Sequence, residues 1–359
     1  MLYYKEDWAS AREWLTGWWK REVFDHWALA VTAPRERPLM FDPVPPAPAD
    51  ERSRWLDADL NYKRTMEQNA TNYFGGCAFP YVTAGLGPGC MDLFLGCEGV
   101  FMPETVWYRP CIKDPAKADL RWNPDNIYWQ WVLKNTREYQ RRGQGLCLTA
   151  IPDLIEGIDV MSELMGTEEL LAALIDCPRE IHRLLDQVTE LYFKAYDPLF
   201  DIVKDDRGGN SFIAFNAWGP GRTLKSQCDF SAMISADMFA EFVCPYLERQ
   251  CSRVDFSTYH LDGPQASHHL EHLLNVPSLT AIQWTPGYPN PPATDKIWWD
   301  KIWRKVYAAG KSAMVLNNPP DQVEAFVKEF GQKGTFISTS CETEKDARQL
   351  IDKSAGWGA

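Results

Sequence analysis

The feature that most constrains this fold is a regular alternation of short strand-like runs with longer helix-like runs. The short runs carry no charged residues and are bounded by turn residues, as expected for strands buried on both faces. Strands that alternate with helices predict parallel pairing through crossover helices. Counting a first strand over residues 26–32, the chain gives about eight such units. Eight units favour closure, so we expect an α/β fold: a single (β/α)8 TIM-type barrel with an N-terminal helical extension.

The positions of the elements follow from the same pattern. The predicted helices after the first lie at 57–70, 125–142, 162–175, 179–203, 236–254, 264–274, 296–309, 322–330 and 343–351. The remaining predicted strands lie at 72–82, 146–151, 211–218, 257–261, 279–284, 313–316 and 335–338. The residues up to about Lys20 are expected to form a helix across the outside of the barrel. We expect residues 1–53 to contain this extension, the first strand and a proline-rich connection, and residues 54–359 to form the rest of the barrel.

The charge balance restricts the partners. The net charge is −12 and the isoelectric point is about 5.1. A protein that binds the phosphate backbone or an anionic membrane needs a basic surface. We therefore expect a small-molecule substrate and neither a nucleic acid nor a membrane as partner. A glycine-rich GxGxxG loop after an early strand and a GxxxxGK[ST] loop are both absent from the sequence, so no nucleotide cofactor is expected.

The cysteines and the N-terminal residues point to a compartment. The ten cysteines are dispersed and form no CxxC pair, which is typical of reduced thiols rather than a disulfide framework. Residues 1–14 carry charges and tryptophans where a secretory signal would need an apolar run. No run approaches the roughly 18 apolar residues that span a bilayer. We expect a cytoplasmic protein, and a homo-oligomer is compatible with these observations.

The strongest candidate site follows the predicted strand at 257–261. His260 and Asp262 are two residues apart, so their side chains point the same way at a strand end. In a βα barrel, the active site is built at the C-terminal ends of the strands. The pair could bind a metal, or Asp262 could orient His260 for acid–base catalysis. A buried polar pair that closes a loop is a third interpretation.

Other strand ends add candidates to this pair. Cys341 stands alone after the last predicted strand, and its thiolate could complete a zinc site with His260 and Asp262 that keeps a fourth position open. An inert, buried cysteine is the alternative. The expected substrate-binding residues are Trp218, Gln227, Asp229, Gln283 and Trp284. The tryptophans could equally be core residues, and Asp229 could equally cap a turn.

Several stretches resemble the uroporphyrinogen decarboxylase superfamily. They are residues 86–89 (LGPG), 94–97 (FLGC), 105–107 (TVW), 227–229 (QCD), 233–235 (MIS), 259–264 (YHLDGP) and 281–287 (AIQWTPG). The resemblance runs from about residue 85 to residue 351 and implies a βα barrel. It also implies one of two chemistries. One is cofactor-free decarboxylation of the acetate arms of uroporphyrinogen, and the other is zinc-dependent methyl transfer between a methylated corrinoid protein and a thiol or pterin acceptor.

The site residues favour the methyltransferase branch. Its pattern is His-x-Cys on one strand and a single Cys after the last strand, and this chain supplies His260, Asp262 in the Cys position, and Cys341. The RQAGRY-like run of the decarboxylases is replaced by APRERP at 33–38. The resemblance thus implies a zinc-assisted methyltransferase with a corrinoid protein as partner. The alternatives are a metal-free decarboxylase, with His260 and Asp262 handling the proton and Arg35 or Arg37 holding the carboxylate, and a non-catalytic corrinoid- or tetrapyrrole-binding module.

Overall fold

The structure, a computed structural model, describes residues 1–358 apart from the side chain of Ala214. Its strands are β1 (Ala28–Pro34), β2 (Asn72–Gly76), β3 (Tyr81–Val82), β4 (Glu98–Phe101), β5 (Val106–Arg109), β6 (Leu148–Ile151), β7 (Asn210–Phe212), β8 (Ala217–Gly219), β9 (Thr223–Gln227), β10 (Phe256–Asp262), β11 (Ala281–Thr285), β12 (Ser312–Asn318) and β13 (Thr335–Ser340). Its α-helices are α1 (Trp8–Lys20), α2 (Glu51–Leu56), α3 (Ala58–Thr71), α4 (Cys90–Leu95), α5 (Ile127–Gly143), α6 (Gly157–Met165), α7 (Thr167–Asp176), α8 (Pro178–Val203), α9 (Ala236–Phe242), α10 (Cys244–Cys251), α11 (Gly263–Ala266), α12 (Leu270–Leu274), α13 (Arg304–Ala308), α14 (Pro320–Phe330) and α15 (Glu344–Ser354).

The strands form two larger sheets and one hairpin. The first sheet has the order β2-β1-β13-β12-β11-β10-β9, and all its neighbours are parallel except β2, which runs antiparallel to β1. The second has the order β3-β6-β7-β8, with β8 antiparallel to β7. Strands β4 and β5 pair only with each other among the described residues. The predicted α/β class with parallel strands and crossover helices is confirmed.

Closure of these sheets into one barrel is not seen in the strand pairing. Within residues 1–358, no backbone ladder joins the two larger sheets. The β7–β8 hairpin explains the break on one side, because β8 takes the edge of β7 that β9 would need. The side chain of Asn210 bridges this seam instead. Its amide donates to the carbonyl of Thr223 at 3.0 Å and accepts from the Thr223 N–H at 2.8 Å.

Helix α1 covers the N-terminal ends of strands from both sheets. The indole N–H of Trp18 donates to the carbonyl of Ala313 on β12 at 3.1 Å. The indole N–H of Trp19 donates to the carbonyl of Trp218 on β8 at 2.8 Å. Both rings are fully buried. The predicted N-terminal helix therefore exists, and it ties the two sheets together at the end opposite to the expected site.

Two differences from the predicted elements have local causes. The predicted strand at 72–82 is two strands, because the chain turns after Gly76, whose φ is +58°. The predicted helix at 236–254 is divided into α9 and α10 at Val243, just before Pro245, which has no N–H to continue a helical ladder. None of the described helices combines the length and apolar character needed to cross a membrane.

Candidate active site

Three side chains with metal-binding groups converge where β9 and β10 end. His260 and Asp262 are the fifth and last residues of β10, and Asp229 lies two residues beyond β9. One ligand-type atom from each of these three residues lies within 4.8 Å of the other two. His260 is half-buried, whereas both carboxylates are exposed. Two residues predicted as metal ligands therefore meet a third that was predicted to bind substrate.

The neighbouring strand β11 orients the imidazole. The Nδ1 atom of His260 is hydrogen bonded to Oε1 of Gln283, its partner in the ladder. The amide nitrogen of Gln283 donates to the hydroxyl of Thr285 at 2.8 Å, which assigns its oxygen to His260. Nδ1 therefore carries the proton, and Nε2 presents a lone pair. This is the arrangement that neighbouring groups impose on a metal-ligating histidine.

Helix α6 holds the segment that carries Asp229. Asp159, in the first turn of α6, accepts the backbone N–H of Asp229 at 2.8 Å and that of Phe230 at 2.9 Å. Gln227 adds a bond from its side-chain amide to Oδ2 of Asp229 at 2.9 Å. Burial, with a smaller contribution from the charge of Asp229, raises the pKa of Asp159 to about 6. Asp159 thus fixes the backbone of the segment that carries Asp229.

A buried charged pair supports this segment from inside the fold. The ammonium of Lys225 on β9 lies 2.7 Å from a carboxylate oxygen of Asp153 and donates to the side-chain oxygen of Gln227 at 2.5 Å. Burial lowers the pKa of Lys225, but Asp153 and Glu156 outweigh burial and the pKa is raised. Lys225 is therefore a cation that is already paired within the protein.

The pKa of Glu156, a second buried group beside Lys225, is governed by burial. It is buried at the start of α6, and its Oε1 accepts the backbone N–H of Gln227 at 2.6 Å. Burial raises its pKa to about 8, and the positive charge of Lys225 only partly counteracts this. Glu156 therefore keeps its proton to a higher pH than an exposed glutamate does.

A cavity of about 270 Å³ lies next to the cluster, at the ends of β1, β12 and β13. Thr32, Asn317 and Ser338 contribute polar groups to its lining. Phe215 also lines it, and the Phe215 ring centroid is 5.0 Å from that of His260.

Two residues that line the cavity have unusual backbone conformations. Phe215 and Asn317 have φ values of +69° and +55°. Such conformations are costly for residues other than glycine and are typical of functional sites. The cavity has the size of a small organic ligand.

Cys341 does not join the cluster. Its N–H donates to the carbonyl of Thr32 at 2.8 Å, which extends the pairing of β13 with β1 by one residue. Its side chain lines a separate cavity of about 560 Å³ against α15, together with Asp346 and Lys353. Burial raises the pKa of the Cys341 thiol. The expected set of His260, Asp262 and Cys341 is thus not assembled in this structure, and Asp229 lies where a third ligand was expected.

The two predicted substrate tryptophans occupy the core. The Trp218 indole N–H donates to Asp205 at 3.1 Å, and the Trp218 ring packs on Trp8 with centroids 5.7 Å apart. Trp284 packs on Trp298 with centroids 5.1 Å apart. Residues next to each other on a strand face opposite ways, so Trp284 points away from Gln283. The aromatic ring that contacts His260 is Phe215.

The arginines proposed as carboxylate holders are not part of the cluster. The guanidinium of Arg35 donates to the backbone carbonyls of Tyr4 at 3.2 Å and Asn72 at 3.3 Å. Arg37 is exposed on the surface. The cation nearest to the cluster in the hydrogen-bond network is Lys225, which is paired with Asp153.

Sequence reasoning missed the residues that hold the site in place. Asp153, Glu156 and Asp159 follow β6 at intervals of three residues. Carboxylates directly after a buried strand lie at the end of a βα barrel where active sites form. This pattern could have been found in the sequence. The contact of Phe215 with His260 had no comparable signal, because it depends on the short segment between β7 and β8.

Comparisons with known proteins support the fold. The chain matches no family model and no curated protein. Among solved structures, it is similar to a methyltransferase from Methanosarcina mazei, with a TM-score of 0.62 and 14% identity over 96% of this chain and 98% of that one. A malate synthase from Haloferax volcanii in complex with lead(II) gives a TM-score of 0.30 with 10% identity over 66% of this chain and 60% of that one. An HpcH/HpaI aldolase from Desulfitobacterium hafniense DCB-2 gives 0.24 with 9% identity over 62% and 85%. The last two scores are too low to carry an argument. The first shows that this chain shares the fold of that protein over nearly its whole length.

Proposed function

We propose that this protein is a metal-assisted methyltransferase that moves a methyl group between a corrinoid protein, or another methylated donor, and a thiol or pterin acceptor. The observation that carries the proposal is the convergence of Asp229, His260 and Asp262 within 4.8 Å. The shared fold with a methyltransferase supports it. We also propose that the parallel strands enclose this site as a barrel, with Asn210 bridging the seam between β7 and β9.

The donor set fits zinc. Zinc binds imidazole nitrogen and carboxylate oxygen, and its catalytic sites use three protein ligands and leave one position open. His260 offers an Nε2 lone pair, because Nδ1 is engaged by Gln283. Two carboxylates make this site harder than one containing a thiolate, so Mn²⁺ and Co²⁺ are competitors for it. Zinc remains the first candidate.

The residues of the chain have separable roles in this proposal. A bound zinc ion would act as a Lewis acid and lower the pKa of an acceptor thiol. Gln283 fixes the imidazole tautomer, and Asp159 holds the backbone that carries Asp229. The adjacent cavity would take the acceptor, and Phe215, which lines the cavity and contacts His260, would lie between the acceptor and the imidazole.

Metal content of the purified protein and its variants tests the ligand set. We expect about one zinc per chain in the wild type, and a sharp loss in His260→Ala and Asp229→Asn, because each change removes a ligand. The matched control is Cys341→Ser, which should keep its zinc since Cys341 lies outside the cluster. Loss of zinc in Cys341→Ser together with full retention in Asp229→Asn would restore the set expected from the sequence and refute this one.

Replacing Asp262 links the metal to the reaction. Asp262→Cys introduces a softer ligand at the same position, so zinc affinity should be kept or increased. Methyl transfer from a methylated corrinoid to simple thiols should then persist, whereas Asp262→Ala should lose both zinc and transfer. A wild-type protein that contains no metal and decarboxylates a carboxylic acid would instead establish the lyase alternative, with His260 handling the proton.

A further inference from the structure

The β4–β5 hairpin has two cysteines at its base, one on each strand's side. Cys97 comes directly before β4, and Cys111 lies two residues after β5. Glu98 and Arg109 form the terminal ladder pair of the hairpin, so the two cysteines lie where its strands leave the body of the protein. Their sulfur atoms are 3.9 Å apart. At this distance one thiol can form a weak hydrogen bond to the other, whereas a disulfide needs about 2.05 Å.

The surroundings of the two thiols differ. Cys97 is buried and Cys111 is exposed. The residue before Cys97 is Gly96, whose φ is +116° and around which no atom would meet a Cβ within 4 Å. There is therefore open space beside the chain immediately before the buried thiol. The exposed thiol is accessible to a reagent from solvent.

We propose that Cys97 and Cys111 are a reversible dithiol–disulfide site that reacts with small disulfides such as oxidised glutathione. The Cys111 thiolate attacks one sulfur of the reagent, which forms a mixed disulfide and releases one glutathione thiolate. Cys97 then loses its proton to solvent and attacks the Cys111 sulfur, which displaces the second glutathione. The two protein thiols are oxidised to one disulfide, and the reagent is reduced to two thiols.

The electrostatics agree with this order of attack. The hydrogen bond between the two thiols lowers the pKa of Cys111 to about 7. The same bond, with burial, raises the pKa of Cys97. Cys111 is therefore the more acidic thiol of the pair, and the thiolate is the nucleophile in exchange. The buried thiol is suited to the second, intramolecular step.

Mass spectrometry of the full chain tests the proposal. After treatment with oxidised glutathione and removal of the reagent, the wild type should lose two hydrogen atoms. A non-reducing digest should contain a peptide pair that joins Cys97 to Cys111. Dithiothreitol should restore the original mass. Cys97→Ser should stop at the mixed disulfide, because the attacking thiol of the second step is missing.

Two variants keep the result interpretable. Cys111→Ser should remain unmodified at Cys97, since the buried thiol does not meet the reagent directly. Cys244→Ser removes a partly exposed thiol at the start of α10 and should form the same disulfide as the wild type. Circular dichroism before treatment establishes that each variant is folded. A wild type that stops at glutathione on Cys111, or that links either cysteine to a different partner, would overturn the proposal.

Discussion

At the scale of single residues, the site depends on groups outside the proposed set of metal ligands. Gln283 is the clearest case, because its orientation is set by Thr285 and in turn sets the protonated nitrogen of His260. An imidazole without that acceptor could place its proton on either nitrogen. The amide therefore selects one tautomer of His260 and the direction of its lone pair.

Removing the Gln283 amide should weaken metal binding without removing a ligand. For Gln283→Leu we expect zinc affinity to fall by about 10–100-fold, the usual effect of losing such a partner. Gln283→Glu keeps an acceptor for the Nδ1 proton and should bind zinc at least as well as the wild type. Competition with a chelator measures both, and nitrogen NMR of the apo-protein reports the His260 tautomer. Trp284→Phe, on the opposite face of the same strand, is the control. Equal affinities for Gln283→Leu and the wild type would contradict this role.

Glu156 should give the protein a pH-dependent stability. Its pKa is raised from the usual 4.5 to about 8 by burial. Between these values the folded state holds a proton that the unfolded chain has released, so the free energy of unfolding falls as pH rises from about 4.5 to 8. The slope is at most about 1.4 kcal/mol per pH unit. Asp159 and His269 titrate below about pH 6.5, so urea unfolding of wild type and Glu156→Gln is compared between pH 6.5 and 8, where the slope should be present in the wild type and absent in the variant.

The control for that measurement is Glu168→Gln on α7, an exposed position. It should unfold with the same pH profile as the wild type. A Glu156→Gln variant that keeps the full wild-type slope would show that another group titrates in this window.

At the scale of elements, β9 is the strand that both builds the site and departs most from an ordinary buried strand. Its sequence, TLKSQ, places Lys225 in the interior with a side chain that is 3% exposed. Burial of an ammonium is costly unless it is paired. The strand is stable in this position because Asp153, just beyond β6, supplies the carboxylate. β9 and the β6–α6 loop therefore depend on each other.

This dependence predicts a non-additive double mutant. Lys225→Met should leave the partly buried Asp153 without its partner and lower the free energy of unfolding by about 3 kcal/mol. Asp153→Leu should have a cost of similar size because it leaves the ammonium unpaired. The double variant should recover most of the loss, since neither charge remains buried. Urea midpoints of the four proteins give the coupling energy. Additive losses in the double variant would show that the pair is not the cause.

The same strand shows where sequence reasoning reaches its limit. Period and turn residues predicted helices such as α5 and α8 and the apolar strands β10 to β13 with small boundary errors. β9 was missed because a lysine contradicts the apolar pattern of a buried strand, and its partner is about seventy residues away in the chain. The pair of His260 and Asp262 was predictable because both residues lie on one strand. Their meeting with Asp229, and the separation of Cys341, depend on how several strands are placed together, which spacing along the chain does not reveal.

At the scale of the whole molecule, α1 connects the two larger sheets. The two larger sheets share no ladder within the described chain, and Trp18 and Trp19 bond to one sheet each. Trp18 also packs on Phe336, and Trp19 packs on Phe256, at the starts of β13 and β10. An N-terminal segment that sequence analysis described as an extension is thus part of the core.

Removing the indole donors should loosen this connection. In Trp18→Phe/Trp19→Phe two buried carbonyls lose their partners, at about 1–3 kcal/mol for each bond, and the smaller phenyl rings leave part of each buried site unfilled. We expect a clear fall in the midpoint of urea unfolding. Trp107→Phe, at a position that is 60% exposed, is the matched control and should leave the midpoint unchanged. A double variant as stable as this control would show that ring packing alone holds α1.

The tryptophan-covered end of the molecule has a consequence for the proposed methyl transfer. With α1 across the strand starts, substrates of that reaction would reach His260 from the side where the strands finish, and its products would leave by the same route. A methyl donor as large as a protein would cover that opening when it docks. The small acceptor would then have to be inside already, so for the proposed reaction we expect a compulsory sequence with the acceptor first and the donor second.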